Sequence, residues 1–447
     1  MRRIVFLLLA AASLLGTAPG ATRPRYGGTL RVMMQAAPNT LEIPAAGTPS
    51  DYWNLARILA MVTDTLVTLD AAGHIEPGLA TTWQSEMNGK RWQFTLRHGV
   101  RFHDGSSASA AVIAKILGDL HPDWGVHASA DTLTIETDSI SPSLPAELAL
   151  PRNAILRRNS DGIPIGTGPF RVAEFQPGRH LKLAASEDRW AGRPFVDVVE
   201  IDLGRALRDQ AIALELNKVD VIEASPQSGT NSARIGTSLQ VELMALVFPP
   251  NTRAQDARLR DALALTINRK PIQSGLLRGA GEPTAAILPN WMSGYNAVFP
   301  VQANVQRARA VLADSRQPAL TLNYDPRDPQ AQLIADRIAL NAREAGITVQ
   351  VSLSGSPDVS LVRIVLPSSD PATSLREAAQ ALGLNAPILR SSSVDDLYPA
   401  ERALLDGHSV IPLFHLPLAS AVSARVHNWN PERGGGWNLA DVWLEAP

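Results

Sequence analysis

The residue types that carry out covalent chemistry are absent from this chain or scattered along it. Its 447 residues include no cysteine, which removes thiol catalysis, disulfides and any lipid attached through a cysteine. No G-x-S-x-G elbow, H-E-x-x-H pair or phosphate-binding G-x-x-x-x-G-K loop occurs. The nine histidines never stand three or four apart, the spacing that would place two imidazoles on one helix face. His98 and His103 flank a strand and a turn and read as surface or structural. His415, in an apolar strand, reads as packed or bonded to backbone, with a place facing a cleft as the alternative. Gly166-Thr167-Gly168 lacks a third glycine and runs into proline and a strand, whereas phosphate binding needs a helix N-terminus. The expectation is therefore no catalytic residue, no cofactor and no metal site. A secreted hydrolase is the alternative, and it would need a serine, histidine and aspartate brought together by the fold.

The elements that could position a binding site are easier to read. Along 91–105, RWQFTLRHGVRFHDG, Trp92, Phe94 and Leu96 alternate with polar residues as in a strand buried on one face, and Val100 and Phe102 resume the pattern. Asp104-Gly105 marks a tight turn, and Ser109 is an N-cap for the following AAVIAKIL helix. In 51–67, Leu55, Ile58, Leu59 and Val62 have the spacing of a one-sided helix packed on a core. FRVAEF and HLKLAAS are strands joined by a Gln176-Pro177-Gly178 turn. Asp256 caps a helix over 256–272. In 320–353, a strand, a helix with Ile334 and Ile338 one turn apart, the C-cap candidate Gly346 and a second strand read as a βαβ unit with parallel strands, an antiparallel arrangement being the alternative.

The length calls for two or three lobes. At 45% hydrophobic and 19% charged residues, the composition is that of a globular protein. A formal net charge of -2 gives no drive toward nucleic acid or anionic membrane. Residues 1–21 read as a secretory signal, with Arg2 and Arg3 before an apolar run and small residues after it; an uncleaved anchor is the alternative. Cleavage after Ala18, Gly20 or Ala21 fits equally.

The wording of three stretches, HIEPGLATTW with RWQFTLRHGVRFHDG, PIGTGPFRVAEF through DRWAGRPFVDVVEI, and DARLRDALALTINRKPI, resembles family 5 of the bacterial extracellular solute-binding proteins, the peptide- and nickel-binding group of ABC importers. The resemblance implies a mixed α/β fold of two lobes with crossing hinge strands and an extra subdomain in the first lobe. It implies a first lobe at 22–246 with the subdomain at about 48–156, a second lobe at 247–412, and a return to the first lobe at 413–447.

It further implies a periplasmic, monomeric receptor that captures a peptide or similar small solute and delivers it to an ABC permease. Contacts are expected from Gln35 beyond the first strand, Asn54 on the early helix, Phe248 near the lobe boundary and Trp291. Two departures bear on the ligand. Where the family has an "FNt" strand, Val247 and Phe248 stand, so an aromatic replaces an amide. The segment 357–399 is shortened, without tryptophan or an acidic partner for a ligand ammonium. A less charged solute, or a receptor-derived sensor that no longer transports, are the alternatives these departures support.

Overall fold

The computed structural model describes residues 23–42, 49–70, 72–225, 233–312, 318–429 and 436–445. The proposed signal segment lies outside them. One mixed sheet of eleven strands runs through the molecule. Its first part orders Phe170–Gln176, His180–Ala185, Val198–Asp202, Thr29–Met33 and Val221–Ala224. Two long neighbours follow, Val410–Ser423 and Ala233–Val247, and then Val359–Val365, Leu320–Tyr324 and Val349–Val351.

The two long strands are what joins the halves. Val410–Ser423 pairs at its end with Val221–Ala224 and along its length with Ala233–Val247. The register of that pair shifts at a bulge around Gln240, and from Glu242 the strand Ala233–Val247 also pairs on its other edge with Val359–Val365. A bulge bends a strand and raises its local twist, so the sheet turns where the chain passes from one half to the other. Beyond the bulge, Met244 and Leu246 enter one buried cluster and Leu243 and Ala245 another. That alternation is the mark of a strand covered on both faces.

The βαβ reading holds: Leu320–Tyr324 lies parallel to Val349–Val351, joined by helix Ala331–Glu344, with Gly346 at φ +83°. Thr29–Met33 is likewise parallel to both Val198–Asp202 and Val221–Ala224. A separate four-stranded antiparallel sheet, with helix Ala110–Leu120 against it, has its own core including Phe94, Leu96, Ile113 and Leu133. Ser109 caps that helix, its hydroxyl accepting from Val112 N at 3.5 Å, and Asp256 accepts from Arg258 N at 2.9 Å. One expectation is corrected: the strand Arg91–Leu96 does not resume at Val100. Gly99, at φ +73°, turns the chain, and Val100 and Phe102 reach the same core from a loop.

The Gly166-Thr167-Gly168 run positions helix Pro49–Ala60 rather than any phosphate. Gly168 N donates to Val62 O at 3.0 Å and Phe170 N to Met61 O at 2.9 Å. A Cβ on Gly166 would stand 2.0 Å from Val62 O, and one on Gly168 2.5 Å from Val62 C. His103 closes the arrangement: Gly166 N donates to Nδ1 at 3.3 Å, which leaves Nε2–H to donate to Gly168 O at 3.0 Å. Burial lowers the His103 pKa, in keeping with this neutral tautomer. Thr167 Oγ1 and Trp190 Nε1 both donate to Asp64 Oδ2, at 2.8 and 2.9 Å.

Candidate functional site

Parallel strands expose ligands to their carboxyl ends, and here both halves turn those ends toward one cleft. From the first half come Gln35, just past Thr29–Met33, and Glu223, near the end of Val221–Ala224. From the second comes 325–328, immediately after Leu320–Tyr324. Gln35 spans the gap: its backbone N donates to Glu223 Oε2 at 2.6 Å, and its Nε2 donates to the Arg327 carbonyl at 2.9 Å.

Helix Pro49–Ala60 supplies the next layer. Asn54 and Arg57 share a face at i, i+3 spacing, and Arg57 Nη2 donates to Asn54 Oδ1 at 2.5 Å and to Glu223 Oε1 at 3.0 Å. Arg57 is only 7% exposed and its guanidinium lies 4.3 Å over the Trp437 ring. Burial pulls its pKa below the ordinary guanidinium value against the pull of Glu223. Gln210 completes the floor, its Oε1 accepting from Glu223 N at 2.9 Å.

Across the cleft, Arg363 sits between Glu242 (Nη1 to Oε2, 3.0 Å) and Asp328 (Nε to Oδ2, 2.8 Å). Burial raises the Glu242 pKa in spite of Arg363. Arg363 is desolvated too, but the two carboxylates outweigh that and hold its charge. Arg57, Glu223, Gln35, the 327–328 segment, Arg363 and Glu242 thus form one polar chain through the closed cleft. Among the described residues, Arg57 Nε, Trp53 Nε1 and Trp429 Nε1 are buried donors without a hydrogen-bond partner. Buried donors of this kind are what a polar solute would satisfy.

The four residues expected at the site fare differently. Gln35 and Asn54 lie in this polar chain. Trp291 donates from Nε1 to Gln240 O at 3.1 Å, at the bulge where the long strands cross. Phe248 does not reach the cleft: it is 7% exposed and packs with Leu246, Leu259 and Leu263 in the second-half core. Its strand has already run to the far end of the pair, where Val247 faces Val410 and Phe248 N donates to Ser409 O. Arg57, Glu223, Glu242 and Arg363, which no motif marks, stand in the same polar chain. The available signal was a charge within an otherwise apolar element, as Arg57 in the early helix and Glu223 in VDVIEA.

His415 is 2% exposed and bonds Ile287 O through Nε2 at 2.9 Å, so it is backbone-bonded rather than cleft-facing. Among the described residues no group of three or more His, Asp or Glu could hold a metal ion, and no helix is long and apolar enough to cross a membrane. A cavity of about 500 Å³ in the second half, lined by Arg269, Phe299, Arg402, His408 and Pro412, lies toward the other end of Val410–Ser423, roughly 25 Å from Glu223 at ordinary strand rise.

Crossing strands, a two-part mixed sheet and a cleft at facing strand ends define a two-lobed periplasmic-binding-protein fold. Residues 74–361 match the family described as "Bacterial extracellular solute-binding proteins, family 5 Middle", and the chain belongs to that family. The nickel-binding protein NikA of Staphylococcus aureus is 23% identical over 305 residues, 62% of each chain, so the match spans less than two thirds of that relative's length. Its crystal structure with Ni(L-His)2 superposes with a TM-score of 0.79 at 17% identity, covering 93% of this chain and 100% of that one. A dipeptide-binding protein of Pseudoalteromonas sp. SM9913 holding Met-Leu gives 0.79 at 17%, covering 94% and 100%. The oligopeptide-binding protein AppA of Bacillus subtilis with a nonapeptide gives 0.74 at 16%, covering 95% and 100%.

Proposed function

We propose that this chain is the substrate-binding component of an ABC importer, exported by its first 21 residues and acting as a monomer in the periplasm. It would capture a peptide or similar small solute between its lobes and present the closed form to a membrane permease. The observation that carries this reading is the cleft itself. Two lobes joined by paired strands meet at their strand carboxyl ends, and Gln35 of one bonds Arg327 of the other. A solute stabilises such a closed form only by binding it better than the open one. Relatives that hold a dipeptide, a nonapeptide and a nickel–histidine complex set the classes to try. Gln35, Asn54 and Trp291 remain the proposed contacts, now with Arg57 and Glu223.

The test is thermal shift and calorimetry with di-, tri- and oligopeptides, an opine and Ni(L-His)2. A ligand at a hundredfold its Kd raises stability by about 2.7 kcal/mol, so one class should move the melting temperature clearly. Turnover of any of these compounds, or no stabilisation by any class, would refute the reading.

A further inference from the structure

The shortened segment after residue 357 has a use other than lining the cleft. Its helix Pro371–Ala381 faces the four-stranded subdomain of the first lobe, and the two surfaces are bonded at three places. Arg152, in the turn Pro151–Asn153, is gripped by Glu147 of its own lobe, Nε and Nη2 donating to Oε1 at 2.9 and 2.6 Å and Nη2 to Oε2 at 2.8 Å. The same guanidinium reaches across to Glu377, Nη2 to Oε1 at 2.9 Å and Nη1 to Oε2. Beside it Arg376 Nη1 donates to Ser143 Oγ at 3.3 Å. At the near edge Ser369 Oγ donates to Asp70 O at 2.6 Å, and a Cβ on Gly73 would stand 2.7 Å from Ser369 O.

We propose that Arg152 and Glu377 form a clasp that sets solute affinity and residence time by holding the lobes shut, without touching the solute. The physical case rests on preorganisation. Glu147 fixes the guanidinium before the lobes meet, so closure orders only the Glu377 side chain. Side-chain exposures of 32%, 17% and 14% for Arg152, Glu147 and Glu377 place the cluster between a surface pair and a buried one. The groups facing it are Glu147, Glu377, Arg152, Arg376 and Tyr52, whose phenol is buried beside them. Opening the cleft returns Glu377 to water and leaves Arg152 with Glu147. The bonds to Glu377 therefore favour the closed form alone, which is what a closure determinant requires.

The inference rests on the binding-by-closure reading, but its test does not need a solute. The chain has no cysteine, so spin labels at S139C and S356C report the lobe separation in the full chain. Glu377→Ala should lower the closed-to-open ratio by about fivefold, as expected for a bidentate, partly buried pair, with a melting temperature close to the parent. The R152E/E377R double variant keeps the net charge at the clasp and puts the cross-lobe pair back with its ends exchanged, so its ratio should rise above that of E377A. With any solute found to bind, E377A should raise Kd in proportion to the closed fraction it removes, mainly through faster release. An unchanged label distance in E377A, a failure of the double variant to raise the ratio above that of E377A, or a loss of stability without a change in separation would each overturn the clasp. The absence of any solute would refute only the transport reading.

Discussion

Glu401 and His415 grip the two ends of one residue. Glu401 Oε1 accepts from Ile287 N, and His415 Nε2 donates to Ile287 O at 2.9 Å. Both are buried, and burial shifts them oppositely, the carboxyl up to about 7 and the imidazole down to about 4. Tyr295, whose hydroxyl bonds Glu401 Oε2, completes the group. An acid with a raised pKa stabilises the fold below its unfolded value and loses that stabilisation as pH climbs through the folded value. A base with a lowered pKa stabilises above its unfolded value and loses that as pH falls toward the folded one. Between roughly pH 4.5 and 6.5 the two slopes therefore oppose each other.

Single substitutions should uncover what the pair conceals. Glu401→Gln removes the carboxyl's share and leaves His415 uncompensated, so stability relative to the parent should fall as pH drops from 7 toward 4.5, by about 3 kcal/mol in full. His415→Gln should give the opposite profile, with stability relative to the parent falling as pH rises from 4 to 6.5. Urea unfolding across pH 4 to 8 decides it, and difference curves that stay flat for both variants would discard the account.

Glycine at 166 and 168 is a matter of space. Gly166→Ala places a methyl against Val62 O, backbone that has nowhere to go, and should cost more than about 3 kcal/mol. Gly275→Ala has nothing within 4 Å and an unexceptional φ, so it should be neutral or gain about 0.5 kcal/mol. Equal losses in the two variants by denaturant titration would contradict the packing role.

Arg57 is the cation whose removal should matter most in the cleft. Arg57→Met leaves the half-buried Glu223 beside Gln35 without its partner, a loss of about 2 kcal/mol. Adding Glu223→Leu should recover part of it, since the orphaned charge goes too. A double variant no more stable than Arg57→Met would show that Glu223 is carried by Gln35 and Gln210 alone.

Asp220 ties the first strand to the returning chain. It is 1% exposed and accepts from Arg31 N, Nε and Nη2 at 2.9 to 3.0 Å and from Arg425 Nε and Nη2 at 2.7 and 3.0 Å. Burial alone would raise its pKa, but these donors hold it below the usual carboxylate value. Its contribution is present above the unfolded pKa and disappears as pH falls through the folded one. Asp220→Asn should therefore cost about 2 to 4 kcal/mol at pH 7 and flatten the acid limb of the stability curve. Unfolding titrations at pH 7 and pH 3 measure both effects.

Much of the scaffold was legible because its signals are local. Alternation at Phe94 and Leu96, caps at Ser109 and Asp256, and the strand–helix–strand order of 320–353 each follow from neighbours in sequence. The cleft is not local. Arg57 meets Glu223 across 166 residues, and Gln35 meets Arg327 across 292, so no spacing rule reaches them. Gln35 and Asn54 sit just past a strand and on a helix face, places that the family wording marks without any long-range contact. At Phe248 the break in that wording coincides with a core position, since its ring packs with Leu246, Leu259 and Leu263. The segment after residue 357 carries its acidic side chain Glu377 against Arg152 of the opposite lobe, a pairing across 225 residues that no local pattern marks.

The backbone bonds from Gly168 N to Val62 O and from Phe170 N to Met61 O fasten together the two places where the chain leaves and rejoins the main body of the first lobe, on either side of the four-stranded sheet. Whatever lies between is an excursion with stapled ends. Evolution can lengthen, trim or exchange such a cassette without disturbing helix Pro49–Ala60, and a laboratory graft at the same two points should be tolerated for the same reason.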